Sequence, residues 1–158
     1  MLEISSYSRK SSLYGLYRKI ISNVQLSNDL ELSQREYLFL KDICKQIEKS
    51  KTVLYTLEVD DNIIGLIALS ATSIDDQPSL QIDYIFVSEP YRGINIQELD
   101  NLKPFRYLIE LSINIAKEIK NLIGIRYIVL SPDTDELKNK YKKVAFQSLN
   151  NDWMYLKI

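Results

Sequence analysis

Hydrophobic positions in the first third of the chain recur at the spacing of helices. Between residues 12 and 21 they fall three and four positions apart, which places them on one helical face. A second stripe, ending near Lys49, follows Ser33 and Glu36, and this pair predicts a capping box at the start of a second helix. Residues 2–8, LEISSYS, predict a short strand ahead of both helices.

The hydrophobic period changes after Ser50. The segments TVLYTLEV and NIIGLIALSA predict a tight hairpin, and LQIDYIFV predicts a third strand that ends before Pro90. A helix over residues 105–122, the strand IRYIVL, a charged helix near residues 134–144 and the hairpin AFQSL/WMYLKI follow. The order βααβββαβαββ predicts a mixed α/β sheet of about six to seven strands flanked by helices, in one domain spanning residues 1–158.

The inventory of reactive side chains excludes several chemistries. The chain has no His and one Cys, so it holds neither a Ser-His-Asp relay nor a CxxC pair, and no metal site is expected. Cys44 falls within a helical hydrophobic stripe, which favours a small buried side chain over a nucleophile. Carboxylates, Lys, Tyr and peptide groups remain for proton transfer and binding.

Charge and hydropathy bear on partners and location. The chain has 20 Lys and Arg against 21 Asp and Glu, a net charge of −1, which argues against a general polyanion binder. Its longest apolar run, residues 63–69, is far below the ~18 residues of a membrane span, and the start lacks the apolar core of a secretory signal. We therefore expect a cytoplasmic protein that binds neither nucleic acid nor membranes.

Two segments carry a family resemblance. The run from Ile85 to Gly93, IFVSEPYRG, is similar to a central strand that leads into a phosphate-binding loop. The second segment begins at Ser131 and contains Tyr141 ahead of Phe146. Together, in this order and on these elements, they resemble the GNAT acyltransferase superfamily, which transfers an acyl group from a coenzyme A thioester, usually to an amine. The resemblance covers the whole chain and implies a GNAT-like fold with acetyl-CoA, or another acyl-CoA, as cosubstrate.

The resemblance also implies a set of coenzyme-binding residues. The main chain of Ile85 and Val87 would bind the acyl carbonyl and the pantetheine arm, as an extra strand would. Thr134 stands where the family often has an Asn that binds the pantetheine. The pyrophosphate would meet the loop that begins with Arg92, Gly93, Ile94 and Asn95.

The loop departs from the family pattern. The family usually has two further glycines where this chain has Asn95 and Gln97, and the segment from Ile94 to Lys103 is longer by about two helical turns. Asn95 tolerates a left-handed backbone, so the loop could still close around phosphate, with Lys103 or Arg106 adding charge. Weakened coenzyme binding is the alternative.

Catalytic roles follow from the same resemblance. Side chains alternate along a strand, so Gln81 and Asp83 share a face with Ile85 and Val87. Family members often carry the base at one of these positions, which makes Asp83 the candidate base and Gln81 its aid in orienting water or substrate. Tyr141 would return a proton to the leaving thiolate. The alternatives are a strand Asp paired with a neighbouring Lys and a helix Tyr packed on the sheet.

The surroundings of these residues are less informative. A basic cluster on the last helix could face nucleotide phosphates or complement the helix dipole. In this family the first two helices and the loops around the sheet line the acceptor site, so aromatic residues there are candidates by placement only. The cluster comprises Lys138, Lys140, Lys142 and Lys143, and the aromatic candidates are Tyr14, Tyr17, Tyr37 and Trp153.

The resemblance thus predicts an acetyl-CoA-dependent N-acetyltransferase that acts by direct attack of a primary amine in a ternary complex. The expected acceptor is a small molecule or a protein or peptide amine, and the expected state is a monomer or homodimer. A GNAT-fold binding or assembly module with weakened or lost catalysis is the alternative. A toxin-like member that acylates aminoacyl-tRNA ranks third, because the sequence offers little basic surface outside residues 138–143.

Overall fold

A computed structural model describes residues 1–8 and 15–158. Within these ranges the elements follow the predicted order βααβββαβαββ, so that prediction is confirmed. The elements are β1 (Leu2–Tyr7), α1 (Leu16–Asn23), α2 (Leu30–Glu48), β2 (Val53–Val59), β3 (Asn62–Ile74), β4 (Gln77–Val87), α3 (Pro104–Leu122), β5 (Tyr127–Leu130), α4 (Asp135–Lys142), β6 (Gln147–Ser148) and β7 (Met154–Lys157).

The strands form one mixed sheet in the order β1-β2-β3-β4-β5-β7-β6. β1 pairs antiparallel with β2, and β7 pairs antiparallel with both β5 and β6. β4 and β5 are parallel, and α3 forms the crossover that a parallel pair requires. The predicted α/β class and strand number are therefore confirmed.

Contacts along the chain divide it into two compact units. Unit 1 comprises Met1–Ala68 and Tyr84–Leu108, and unit 2 comprises Leu69–Asp83 and Ile109–Ile158. The single domain that the sequence suggests stays a prediction. No helix in the described part of the chain is long and apolar enough to cross a membrane.

The core of unit 1 is built by α1 and α2 against the first strands. The hydrophobic stripes of the two helices supply its buried positions, with Ile20 and Ile47 fully enclosed. The start predicted for the first helix, residues 12–14, lies outside the described residues, and α1 is described from Leu16. Burial of these stripes, rather than intrinsic helix propensity, stabilises a helix as short as α1.

The predicted capping box at Ser33 is wrong. α2 begins one turn earlier, at Leu30, because the Asp29 side chain accepts a hydrogen bond of 2.8 Å from the Leu32 N–H. Ser33 lies inside the helix, and its hydroxyl donates to the Leu30 carbonyl at 2.9 Å. Glu36 does not bond to the Ser33 N–H; its Oε1 accepts instead from the N–H of Ser27, two residues before the N-cap, at 2.7 Å.

Unit 2 is organised around β5 and the final hairpin. Ile128 and Val129 of β5 are fully buried, and β7 covers the other edge of this strand. The turn between β6 and β7 is fixed by Asn150, whose Oδ1 accepts from the N–H groups of Asp152 and Trp153, each at 2.9 Å. The predicted C-terminal hairpin is confirmed.

Candidate active site

The strand β4 carries the predicted acyl and pantetheine contacts. Its parallel ladder with β5 pairs Ser79 with Tyr127 and ends with Gln81 opposite Val129. β4 itself continues to Val87, so both Ile85 and Val87 lie beyond that ladder. A strand edge that has left its neighbour is the kind of main chain with which an extended ligand pairs. The assignment of these two residues to the pantetheine stays a prediction.

The candidate base Asp83 lies in a small polar cluster of unit 2. Its Oδ1 accepts a hydrogen bond of 2.9 Å from Gln81 Nε2 and another of 2.9 Å from the Ser70 hydroxyl on β3. The two donors fix the direction of the carboxylate, and the expectation that Gln81 and Asp83 share a strand face is confirmed. Ser70 did not stand out in the sequence, because a lone Ser in a strand gives no signal of its cross-strand partner.

The guanidinium of Arg92 is held within unit 1. Its Nη2 lies 2.5 Å from Glu36 Oε2, its Nη1 lies 2.7 Å from Glu89 Oε2, and its Nε donates to the Val87 carbonyl at 2.8 Å. The group also lies 5.5 Å from the centre of the Phe86 ring. These contacts use three of the five guanidinium N–H donors, so the assignment of Arg92 to the pyrophosphate stays a prediction, and the peptide N–H groups of the loop are the other candidate donors.

Those peptide groups follow directly after Arg92. Gly93 has φ 74°, a left-handed conformation that glycine adopts without strain. Among contacts between described residues, no hydrogen bond is donated by the N–H of Gly93, Ile94 or Asn95. Ile94 is 49% exposed. Three successive donors on a turn suit an anion such as a pyrophosphate.

The extra length of the loop closes on itself. Ile96 and Leu102 form an antiparallel bridge, and a 3₁₀ turn over Gln97–Leu99 buries Leu99 completely. The left-handed residues of this segment are Asp100 and Asn101, with φ 55° and 59°, rather than Asn95, which would tolerate that backbone. The reason is that the reversal needed to form the bridge comes between its two partners.

Tyr141 is the buried residue of α4. Its side chain is 5% exposed and packs edge-to-face on Phe146, with the ring centres 5.6 Å apart. Burial raises the pKa of Tyr141 far above its usual value, and the charge of Asp133 raises it further. The hydroxyl is therefore protonated at neutral pH, as an acid must be before it acts.

Two other predictions concern α4. Thr134 is the N-cap of this helix, and its hydroxyl oxygen accepts from the Leu137 N–H at 3.2 Å. That bond leaves the hydroxyl proton for another acceptor, so a pantetheine contact stays a prediction. Lys138 donates to the Asn151 carbonyl at 2.7 Å, whereas Lys142 and Lys143 are exposed.

The aromatic candidates for the acceptor side lie in different places. Tyr17 and Tyr37 pack edge-to-face in unit 1 with ring centres 6.0 Å apart, and burial, with Tyr37 adding to it, raises the pKa of Tyr17 to about 12. Trp153 belongs to unit 2, and Tyr14 lies outside the described residues. Cys44 is 7% exposed, and burial raises the pKa of its thiol to about 11, as suits a structural side chain.

Among the residues in ranges 1–8 and 15–158, no group of three or more His, Cys, Asp or Glu side chains could hold a metal ion.

No protein-family model matches the chain, and no curated protein is recognisably similar to it in sequence. Solved structures do match. A tyrosine-to-phenylalanine mutant of the toxin AtaT, bound to the C-terminus of the antitoxin AtaR and acetyl-CoA, is 13% identical with a TM-score of 0.72; the match covers 99% of this chain and 93% of that one. AtaT complexed with acetyl-methionyl-tRNAfMet is 13% identical with a TM-score of 0.69, over 99% and 95% of the two chains. The KacTA–DNA complex is 13% identical with a TM-score of 0.70, over 98% and 93%.

These toxins are GNAT-fold acetyltransferases. This chain has the GNAT fold. The fold that the two sequence segments implied is thereby confirmed, and the presence of acetyl-CoA in a GNAT-fold neighbour agrees with the expected cosubstrate.

The expectation about partners is wrong. The sequence predicted a small-molecule, protein or peptide amine as the acceptor and no binding of nucleic acid. GNAT-fold neighbours have instead been solved with an antitoxin, a tRNA and DNA. The prediction against nucleic-acid binding rests on the net charge of −1, which is a sum over the whole chain. Contact with a phosphate backbone depends on local cations, and exposed lysines such as Lys142 and Lys143 are compatible with a neutral total.

Proposed function

We propose that this GNAT-fold protein acetylates the amino group of an aminoacyl-tRNA with acetyl-CoA. The observation that carries the proposal is the match over nearly the full length of both chains with AtaT complexed with acetyl-methionyl-tRNAfMet. A protein with this activity would stop translation if uncontrolled. By the same reasoning we propose a protein antitoxin as its partner, since AtaT has been solved with one.

The peptide groups of unit 1 would bind the coenzyme. Three N–H donors at Gly93, Ile94 and Asn95 match the acceptor oxygens of a pyrophosphate, and Gly93 adopts the left-handed backbone that such a turn uses. The main chain of β4 at Ile85 and Val87 would pair with the pantetheine arm and donate to the developing oxyanion.

Two side chains of unit 2 would handle the protons. Asp83, held by Ser70 and Gln81, would accept the proton that the attacking ammonium must lose, directly or through water. The nitrogen then forms its bond to the carbonyl carbon as the carbon–sulfur bond breaks. Tyr141, kept protonated by its burial, would return a proton to the departing thiolate.

A transfer assay tests the proposal. Purified protein is incubated with labelled acetyl-CoA and a panel of aminoacyl-tRNAs, and N-acetylated amino acid is measured by mass spectrometry after the tRNA is deacylated. We expect acetylation of at least one charged tRNA and none of uncharged tRNA. Transfer only to free amines or peptides would reject the tRNA acceptor. If saturating acetyl-CoA did not raise the melting temperature, the enzymatic proposal itself would fail, because about 2.7 kcal/mol of stabilisation is expected at a hundredfold excess over Kd.

A binding module without catalysis remains the second candidate. It is favoured by one observation, which is that Glu36 and Glu89 already occupy the Arg92 guanidinium that the resemblance assigned to phosphate. In that case the chain would bind its protein partner with full affinity but acetyl-CoA only weakly. If the chain bound an antitoxin but transferred no acetyl group, this candidate would be supported over the enzyme.

A further inference from the structure

Glu36 is a buried carboxylate on α2, six residues after the helix begins at Leu30. It is 7% exposed, and both its oxygens are bonded: Oε1 accepts from the Ser27 N–H at 2.7 Å, and Oε2 lies 2.5 Å from Arg92 Nη2. Burying a carboxylate costs free energy unless it is paired and hydrogen-bonded, as it is here. The pair therefore joins α2 to the loop at a fixed geometry.

The same place in the fold holds a second set of bonds. The Gln25 N–H donates to the Ser88 hydroxyl at 3.1 Å, and that hydroxyl donates to the Ile63 carbonyl at 2.6 Å. The Glu89 N–H donates to the Gln25 carbonyl at 2.9 Å. The end of β4 is thus bonded to the connection between α1 and α2, and Glu36 extends this attachment to Arg92.

Arg92 in turn bonds to the residues of the turn that leads into the loop. Its Nε donates to the Val87 carbonyl at 2.8 Å and its Nη1 lies 2.7 Å from Glu89, so the side chain spans the whole turn from the end of β4. The next residue is Gly93, whose left-handed conformation begins the run of N–H donors. A planar fork bonded at three nitrogens restrains the turn far more than a single ammonium contact would.

We infer that Glu36 is a positioning residue that acts through Arg92 to hold the Gly93–Asn95 loop in its coenzyme-binding conformation and so sets the affinity for acetyl-CoA. The inference rests on the proposed function for its ligand. Stability alone does not call for such a pair, because well-packed apolar side chains stabilise a core as well as a buried ion pair does. A fixed loop, by contrast, avoids the ordering cost that a mobile loop would incur when it binds.

The variant Glu36→Gln tests this inference. It preserves the shape of the side chain and an acceptor for the Ser27 N–H, but it removes the charge that holds Arg92. We expect the Kd for acetyl-CoA to rise on the order of tenfold, because a smaller fraction of the molecules would hold the loop in its coenzyme-binding conformation. KM for acetyl-CoA should rise more than kcat falls. Amide hydrogen exchange at Gly93–Asn95 in the unliganded protein should become faster.

Glu58→Gln is the matched control. Glu58 is 9% exposed on β2 and accepts from the Thr56 hydroxyl at 2.7 Å, so it is a comparably buried and bonded carboxylate without a link to the loop. Its substitution should lower stability but leave loop exchange and acetyl-CoA affinity unchanged. Equal effects of the two variants on Kd and on loop exchange would overturn the inference.

Arg92→Lys provides a second route if Glu36→Gln folds poorly. It keeps the charge next to Glu36 but loses the fork, and we expect the same rise in Kd and in loop exchange. Unchanged loop exchange in this variant would also overturn the inference. If the wild-type protein bound no acetyl-CoA, the proposed function would fail, while the exchange measurements would still decide whether Glu36 holds the loop.

Discussion

Gly65 of β3 lies against the carbonyl oxygen of Phe86 on β4, at a distance that leaves no room for a side chain. A Cβ at this position would stand 3.0 Å from that oxygen, 3.1 Å from Leu108 Cδ1 and 3.8 Å from Val87 Cα. The glycine therefore allows the backbone of β3 and the first turns of α3 to approach the end of β4. That end is the segment to which the pantetheine contacts are assigned.

Gly65→Ala should destabilise the protein and shift the end of β4. We expect a loss of about 1–3 kcal/mol in the free energy of unfolding, since the clash with a backbone atom cannot be relieved by a rotamer change. Chemical denaturation checks this. Gly124→Ala is the control, because a Cβ there has nothing within 4 Å and should change the free energy by less than about 0.5 kcal/mol. Equal effects of the two substitutions would contradict the packing argument.

Tyr141→Phe should lower kcat and leave acetyl-CoA affinity nearly unchanged. The change removes only the hydroxyl, and the edge-to-face packing on Phe146 is retained. A loss on the order of 10²-fold is typical when a positioned acid is removed. Steady-state kinetics and a binding titration separate the two quantities. An unchanged kcat would remove Tyr141 from the mechanism.

The pH profile offers a second check on Tyr141. Because burial raises its pKa, the hydroxyl stays protonated to a higher pH than an unburied tyrosine, whose pKa is ~10. Loss of activity through this group should therefore begin only above pH ~10. A decline that disappears in Tyr141→Phe but starts near neutral pH would show that the pKa of the hydroxyl is lowered, which contradicts the effect of burial.

Asp83→Asn should reduce kcat while the strand pair is preserved. The amide oxygen can still accept from Ser70 and Gln81, so the cluster keeps its hydrogen bonds but loses its basic group. We expect a decrease on the order of 10²-fold or more in kcat. Ser70→Ala serves as the comparison, since it removes one orienting donor and should have a smaller effect. If the two substitutions were equivalent, Asp83 would be a structural residue.

Cys44 should make the fold sensitive to alkaline pH. Burial raises the pKa of its thiol from 9.0 to about 11, so the folded state favours the neutral form. The unfolded chain ionises first, and the stability that the neutral thiol contributes is complete below pH ~9 and is lost as the pH rises towards about 11. The full loss should amount to about 2–3 kcal/mol, because the shift is about two pKa units.

Cys44→Ala isolates this contribution. The variant should be less stable at neutral pH because of the cavity, but its free energy of unfolding should fall less steeply between pH ~8 and ~10 than that of the wild type. Denaturant unfolding at several pH values gives the comparison. Parallel curves for the two proteins would show that the thiol titrates equally in both states.

The exposed lysines at the end of α4 should contribute to tRNA binding if the proposed acceptor is correct. Replacing Lys142 and Lys143 with Glu should weaken tRNA binding and flatten its salt dependence by about one to two units of slope. Filter binding across a salt series measures both. Lys117→Glu, the same charge change at an exposed site on α3, is the control. Weaker acetyl-CoA binding in place of weaker tRNA binding would assign the lysines to the nucleotide phosphates.

The periodicity of the chain was enough to predict the order of its elements. Apolar residues three and four positions apart gave α1 and α2, and alternating or continuous apolar runs gave the strands, because these spacings follow from local backbone geometry. The boundaries were less accurate: Ser33 looked like a cap, but Asp29 caps α2 instead. Both residues are good N-caps, and which of them acts depends on what the helix packs against.

Part of the candidate site could also be predicted from short-range features of the sequence. A period of two brings Gln81 next to Asp83, and a tyrosine on an amphipathic helix was expected to be buried or catalytic. The conformation of the loop was not accessible in this way, because Asp100 and Asn101 adopt the left-handed backbone only to close the bridge around Leu99.

The amino-acid sequence alone thus established the GNAT-like order of elements, the absence of histidine chemistry and the strand that carries Asp83 and Ile85. Folding decided which charges meet. Arg92 binds Glu36, a residue 56 positions away that the sequence placed in a helix cap, and we infer that this contact supports the loop. Short-range patterns are encoded by the spacing of neighbours, whereas this ion pair forms only once packing has buried Glu36 and brought α2 next to the loop.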